Sequence, residues 1–158
     1  MKIKPWKIYI FWILLAEAVG ALSGWLSRDG FQIYSDTVRQ PPLSPPSWVF
    51  PIVWTILFAL MGIGAARIRL SATSPERNKS MNLFLAQLTV NFFWPLLFFN
   101  AQAYGFAFLW LLLLWRLVLA MILQFRRVDP PAAKLQVPYL LWLSFAAYLN
   151  LAVWYLNR

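Results

Sequence analysis

Apolar residues run along this chain in long unbroken stretches, and polar residues collect in short clusters between them. Five stretches, at about 8–27, 48–66, 81–99, 103–125 and 135–156, each approach the roughly 20 residues that a helix needs to cross a bilayer core. They lack the polar face that a helix of a soluble protein turns to water. The pattern predicts an all-α membrane protein, one domain over 1–158, built as a five-transmembrane-helix bundle. The first stretch has too long an apolar run, and lacks the small-residue cleavage site, of a removable signal peptide. The longest connection, residues 28–46, carries Pro41, Pro42, Pro45 and Pro46. Prolines stiffen a linker, and long loops in compact proteins are often lids, so an ordered proline-rich loop is expected between the first two membrane helices.

The informative positions are the polar exceptions. The third stretch contains QLTVNFFWPLLFFN (87–100), with two amides and a proline inside lipid-length sequence. Pro95 has no N–H to donate, and its ring clashes with the carbonyl of Asn91 four residues earlier. Gln87, Asn91 and Trp94 follow i, i+4, i+7 spacing and share one helix face. Such a polar stripe must meet protein, water or a ligand. Two readings stay open: interhelical hydrogen bonds that hold the bundle, or the wall of a binding site. In the fifth stretch Tyr139, Trp142, Ala146, Asn150 and Val153 form a comparable stripe. At ~1.5 Å per residue, Trp54, Asn91, Trp94, Ala146 and Asn150 all fall in the half of the membrane beneath the proline-rich loop, with Trp142 near its middle. An aromatic cavity with a few amides and a lid is the predicted site, of the kind that takes flat apolar ligands. Trp48 and Trp154, near span ends, are expected as interfacial anchors.

Charge sets the orientation. Of 14 Lys and Arg, ten lie at the N-terminus and in the loops after the second and fourth spans. Arg28, Arg39 and Arg158 lie on the other side. The positive-inside rule then puts the N-terminus in the cytoplasm and the C-terminus outside; the charge bias does not itself identify the membrane, and a bacterial plasma (inner) membrane is the expected location. The net charge of +9 is explained by this asymmetry, and no nucleic-acid partner is inferred. With 61% hydrophobic residues, no Cys and no His, the chain offers no thiol nucleophile, no zinc site and no usual general base or haem ligand. No metal site and no required cofactor are expected. A flat apolar ligand in the predicted cavity would be held by stacking and shape.

Three segments, PPSWVFPIVWTILFALMG (45–62), QLTVNFFWPLLFF (87–99) and VPYLLWLSFAAYLNLAVW (137–154), occur in the order found in one family. On these the chain resembles the TspO family, also called the translocator protein or peripheral benzodiazepine receptor family. The resemblance implies a five-helix bundle, often a homodimer, with a pocket under the first loop for porphyrins, sterol-like lipids and benzodiazepine-type compounds. It implies ligand contact by Trp54 and Trp142, the pair associated with porphyrin breakdown, and pocket or bundle roles for Phe58, Asn91, Trp94, Ala146 and Asn150. With Gln87 and Tyr139 from the stripes above, Phe50 beside the second span's entry, and Tyr34 and Pro45 from the loop, these are the expected ligand-binding residues. Val153, Tyr155 and Arg158 match the cholesterol-recognition pattern. The loop departs from the family: Tyr34-Ser35 stands where Trp-Tyr is usual, and Gln40-Pro41-Pro42-Leu43 where Lys-Pro-x-Trp is usual.

The expected function is binding of tetrapyrrole or sterol-like ligands with a regulatory, sensory or transport-linked role. The alternatives are a light- and oxygen-dependent porphyrin-degrading enzyme using Trp54 and Trp142, and a small-molecule transporter, for which internal repeats are lacking. Two ionisable residues lie deep in spans, Glu17 and Arg116, and two readings stay open: they pair with each other, within one chain or across a dimer, or Arg116 snorkels while Glu17 is protonated or faces water. Gly20 and Gly24 form a GxxxG spacing that brings membrane helices together.

Overall fold

The computed structural model describes residues 2–158. Seven helices follow in chain order: α1 (Pro5–Leu26), α2 (Arg28–Thr37), α3 (Val49–Leu70), α4 (Pro75–Pro95, prolonged by a π-type turn over Leu96–Asn100), α5 (Tyr104–Val128), α6 (Pro130–Lys134) and α7 (Val137–Leu156). Five helical segments, α1, α3, α4 with its turn, α5, and α6 together with α7, are long and apolar enough to span a membrane. The bundle expected from the apolar runs is therefore present, and no strand occurs among the described residues. The fourth helix begins before its apolar run. Ser74 accepts a hydrogen bond from the Arg77 amide at 3.1 Å and Pro75 takes the first turn, so two polar turns precede the membrane-length part.

One expectation needs correction. Residues 28–46 are not a loop throughout, because the first ten form α2. Phe31 and Tyr34, spaced i, i+3, give this helix an apolar face, which Val38 continues just past its end. That face packs on the π-type turn, with Tyr34 against Phe98 (5.4 Å) and Phe99 (5.3 Å) and Phe31 against Phe99 (5.1 Å between ring centres). Gly30 makes the close approach possible, since a Cβ there would press on the Phe99 carbonyl. The prolines begin only after the helix has ended at Thr37. The remaining segment is tethered to α7: the Arg39 amide donates to Asn157 Oδ1 (3.0 Å), Asn157 Nδ2 returns a bond to the Arg39 carbonyl (2.9 Å), and the Tyr148 hydroxyl donates to the Pro42 carbonyl (2.9 Å).

How α1 meets α3 decides where space is left. At Gly62 the two backbones touch: a Cβ there would lie 2.7 Å from the Ile13 nitrogen and 2.8 Å from the Trp12 carbonyl. About two turns further along α1, Gly20 lies under the Phe58 ring, and its added Cβ would strike that ring. Another turn on, at Gly24, nothing lies within 4 Å of an added Cβ. The helices thus diverge toward the α2 end. The GxxxG glycines are used inside the chain, Gly20 seating Phe58 and Gly24 facing open space. At the basic end the bundle is tied by Arg67 on α3, whose Nε lies 2.6 Å from Asp129 between α5 and α6. Gln136 donates to the Leu60 carbonyl at 3.0 Å. The core between these ends is mostly apolar, with Met61, Phe84, Leu111, Met121 and Leu143 fully buried, but it also holds buried amides such as Gln87 and Asn150.

Candidate functional site

The divergence of α1 from α3 leaves a cavity of about 420 Å³ under α2, bounded also by α4 and α7. This lies in the range of about 300–1,000 Å³ typical of small-molecule sites. Aromatic rings form much of its wall: Phe50, Trp54 and Phe58 from α3, Trp94 and Phe99 from α4 and its turn, Trp142 from α7 and Phe31 from α2. They brace one another, Trp54 against Phe58 at 5.5 Å, Phe50 against Trp142 at 6.0 Å and Phe31 against Phe50 at 6.2 Å between ring centres. Trp54 also meets Tyr139 edge-on at 6.1 Å. Packing of this kind fixes ring orientation and leaves faces for a planar apolar molecule. Ala21, Gly24, Pro51 and Thr55 line the cavity and are exposed, so it opens at the flank between α1 and α3.

Of the residues expected at the site, Phe50, Trp54, Phe58, Asn91, Trp94, Trp142 and Ala146 line this cavity. Gln87, Tyr139 and Asn150 do not. They are buried behind it in hydrogen bonds between helices. Asn91 Nδ2 donates to the Tyr139 hydroxyl at 2.6 Å, and that hydroxyl donates to Gln87 Oε1 at 2.8 Å. Gln87 Nε2 points at the Met61 sulfur, 3.8 Å away. Trp94 Nε1 donates to Asn150 Oδ1 at 3.1 Å, and Asn150 Nδ2 donates to the Tyr104 carbonyl at 2.8 Å. A side-chain amide buried in lipid-facing protein needs partners for all its polar atoms. From α7, Tyr139 bonds both Gln87 and Asn91 and Asn150 bonds Trp94 and the Tyr104 carbonyl, so these groups knit α4, α5 and α7. Asn91 and Trp94 belong both to this network and to the cavity wall.

Tyr34 and Pro45 also lie elsewhere. They line a separate, polar recess of about 350 Å³ between α2 and the proline-rich segment, with Phe31, Ser35, Gln40, Ser44 and Phe50 among its other walls. Phe31 and Phe50 therefore form the partition between the two spaces. Burial, and the neighbouring Tyr104, push the Tyr34 hydroxyl up to about 12.

Pro95 disrupts α4 as its chemistry requires. The Leu96 amide bonds the Phe93 carbonyl instead of that of Phe92. The Phe92 carbonyl accepts the Ser23 hydroxyl of α1 at 2.7 Å. The group claimed by another helix is thus one residue beyond the Asn91 carbonyl singled out from sequence. Trp110 of α5 donates to the Val90 carbonyl at 2.8 Å on the other side of the same helix.

The wall contributed by α1 was absent from the sequence expectation: Glu17, Gly20, Ala21, Ser23, Gly24 and Ser27, followed by Arg28 at the start of α2. Its signal was the run of small residues at 20, 23, 24 and 27, which marks one helix face. A Glu17–Arg116 pair does not form within the chain. Arg116 is exposed on α5, and the ion pairs among the described residues are Arg28–Asp29 and Arg67–Asp129. α5 packs against α4, α6 and α7, which keeps it away from the Glu17 face of α1.

Comparison with known proteins agrees with this architecture. The chain matches the model of the TspO/MBR family over residues 12–156. It is 37% identical over 157 residues to the translocator protein of Ovis aries, covering 98% of this chain and 92% of that relative. It is 38% identical over 144 residues to the tryptophan-rich protein TspO of Chlorobaculum tepidum, covering 90% and 91%. With the tryptophan-rich sensory protein of Cereibacter sphaeroides it shares 30% identity over 152 residues, covering 96% and 92%.

Proposed function

The chain belongs to the TspO/MBR family of integral, multi-pass membrane proteins, and we propose that it binds a flat hydrophobic ligand, of tetrapyrrole or sterol type, in the aromatic cavity under α2. The observation that carries the reading is the cavity itself, about 420 Å³ with Trp54, Trp142, Trp94, Phe50 and Phe58 on its walls. Indole and phenyl faces favour planar apolar molecules. The flank opening between α1 and α3 gives such a molecule a route from the bilayer without crossing water. A regulatory or sensory role is supported by the relative that bears the name tryptophan-rich sensory protein. In this reading the basic end of the bundle faces the cytoplasm and α2 the other side.

Gly24 offers a clean test, because an added side chain there enters open space. Tryptophan fluorescence is titrated with protoporphyrin IX in detergent. The wild type should quench saturably, and Gly24→Leu should bind at least about tenfold more weakly, with unchanged thermal stability. Equal affinity of the two proteins would overturn the site. A second reading, light-dependent porphyrin breakdown, is favoured by one fact: Trp54 and Trp142 both border the cavity. Illuminated samples would then form products that dark samples and Trp142→Phe do not. Quenching without product leaves the binding role alone.

A further inference from the structure

We propose that Glu17 is a polar anchor at the end of the cavity away from α2, which gives the site a preference for apolar aromatic ligands carrying a protonated nitrogen. The inference rests on the ligand-binding reading of the same cavity. Glu17 is the deepest residue that α1 contributes to the wall, one turn below Gly20 and Phe58. Its Oε1 is buried and has no hydrogen-bond partner. A carboxylate is an acceptor of up to about four hydrogen bonds, and burial without donors is unfavourable.

No hydrogen bond from a described residue reaches Glu17 Oε1. Arg116 lies on the far side of the bundle, as described above. Arg28, the other charged residue on the cavity wall, sits eleven residues along at its opposite end, about 16 Å away by helical rise. Its guanidinium is engaged there, donating to the Trp25 carbonyl at 2.7 Å and lying 4.4 Å from the centre of the Trp25 ring. Four other polar side chains bordering the space are committed as well: Ser23 to the Phe92 carbonyl, Ser27 to the Ser23 carbonyl, Thr55 to the Pro51 carbonyl and Asn91 to Tyr139. Glu17 is thus an acceptor without a donor at one end of a ring-lined space. A ligand whose aromatic body lies among Trp54, Phe58 and Trp142 and whose ammonium or protonated ring nitrogen reaches Glu17 would satisfy both. Charge-assisted bonds of this sort are short and directional, so they select among ligands of equal apolar area.

The test compares two probes of one shape, 1-aminomethylpyrene and 1-methylpyrene, by tryptophan quenching and energy transfer in a nonionic detergent. The wild type should bind the amine at least about tenfold more tightly. In Glu17→Gln the ratio of the two affinities should fall toward one, and Glu17→Asp should recover part of it. Gly24→Leu should weaken both probes together. A wild-type ratio near one, or a ratio that persists in Glu17→Gln, overturns the role of Glu17 while leaving the cavity reading intact. Affinities for both probes untouched by Gly24→Leu overturn the cavity reading and this inference with it.

Discussion

Replacing Tyr139 by Phe removes one oxygen from the centre of the bundle and leaves the ring, which is fully buried against Trp54, in place. Two hydrogen bonds go with it, from Asn91 at 2.6 Å and to Gln87 at 2.8 Å. Gln87 and Asn91 are themselves buried, so neither lost partner is replaced by water. Side-chain hydrogen bonds between membrane helices average ~0.6 kcal/mol in double-mutant cycles, with a maximum near 1.7. An unpartnered buried polar group costs ~1–3 kcal/mol by mutational measures. Two bonds therefore place the loss at about 1–3 kcal/mol, or roughly 2–12 °C in Tm for a chain of this size. Thermal unfolding in detergent, followed by circular dichroism, reads this directly. Gln87→Leu closes the cycle: because Gln87 and Asn91 share one hydroxyl, Tyr139→Phe and Gln87→Leu together should cost less than their sum, by about 0.6–1.7 kcal/mol. A Tyr139→Phe protein as stable as the wild type, or strict additivity, would show that the amides are not held by Tyr139.

Three further outcomes follow from the packing and charge. Gly62→Ala drives a methyl into the Ile13 backbone, which cannot rotate aside, and should cost about 3 kcal/mol and lower Tm by roughly 6–12 °C. Asp129→Asn weakens a partly exposed pair with Arg67 and should cost no more than about 1 kcal/mol, less in high salt, as urea or thermal melts would show. Tyr34 is held neutral by burial up to about 12, against 10.0 for an ordinary tyrosine. Unfolding lets it ionise near 10, so the stability it contributes is complete below that pH and disappears as pH rises to about 12. Melts of Tyr34→Phe should therefore fall less steeply across that window than melts of the wild type.

The membrane-length helices were legible because each apolar run is close to bilayer thickness and its breaks carry charge, proline or, at Asn100 and Gln102, amides. α2 was not, because the four prolines downstream drew the whole connection into one loop, while the spacing of Phe31, Tyr34 and Val38 already marked a helical face. Trp54, Trp94, Trp142 and Asn91 were found from their depth and shared faces. The same logic could not separate Gln87 and Asn150 from the cavity wall. An amide facing a ligand and an amide facing a tyrosine on the next helix leave the same trace in one sequence, and only the placing of Tyr139 and Asn150 on α7 distinguishes them. The α1 wall went unread for a related reason. Small residues at 20 and 24 signal close approach, but not whether the neighbour is a helix, a ring such as Phe58, or empty space.

The most direct measurement is a structure of the protein determined with protoporphyrin IX bound. The account predicts the macrocycle between α1 and α3, its faces against Trp54 and Trp142 and its edge over Gly24. A macrocycle bound on the outer surface of the bundle, with that space collapsed or filled by side chains, would contradict it.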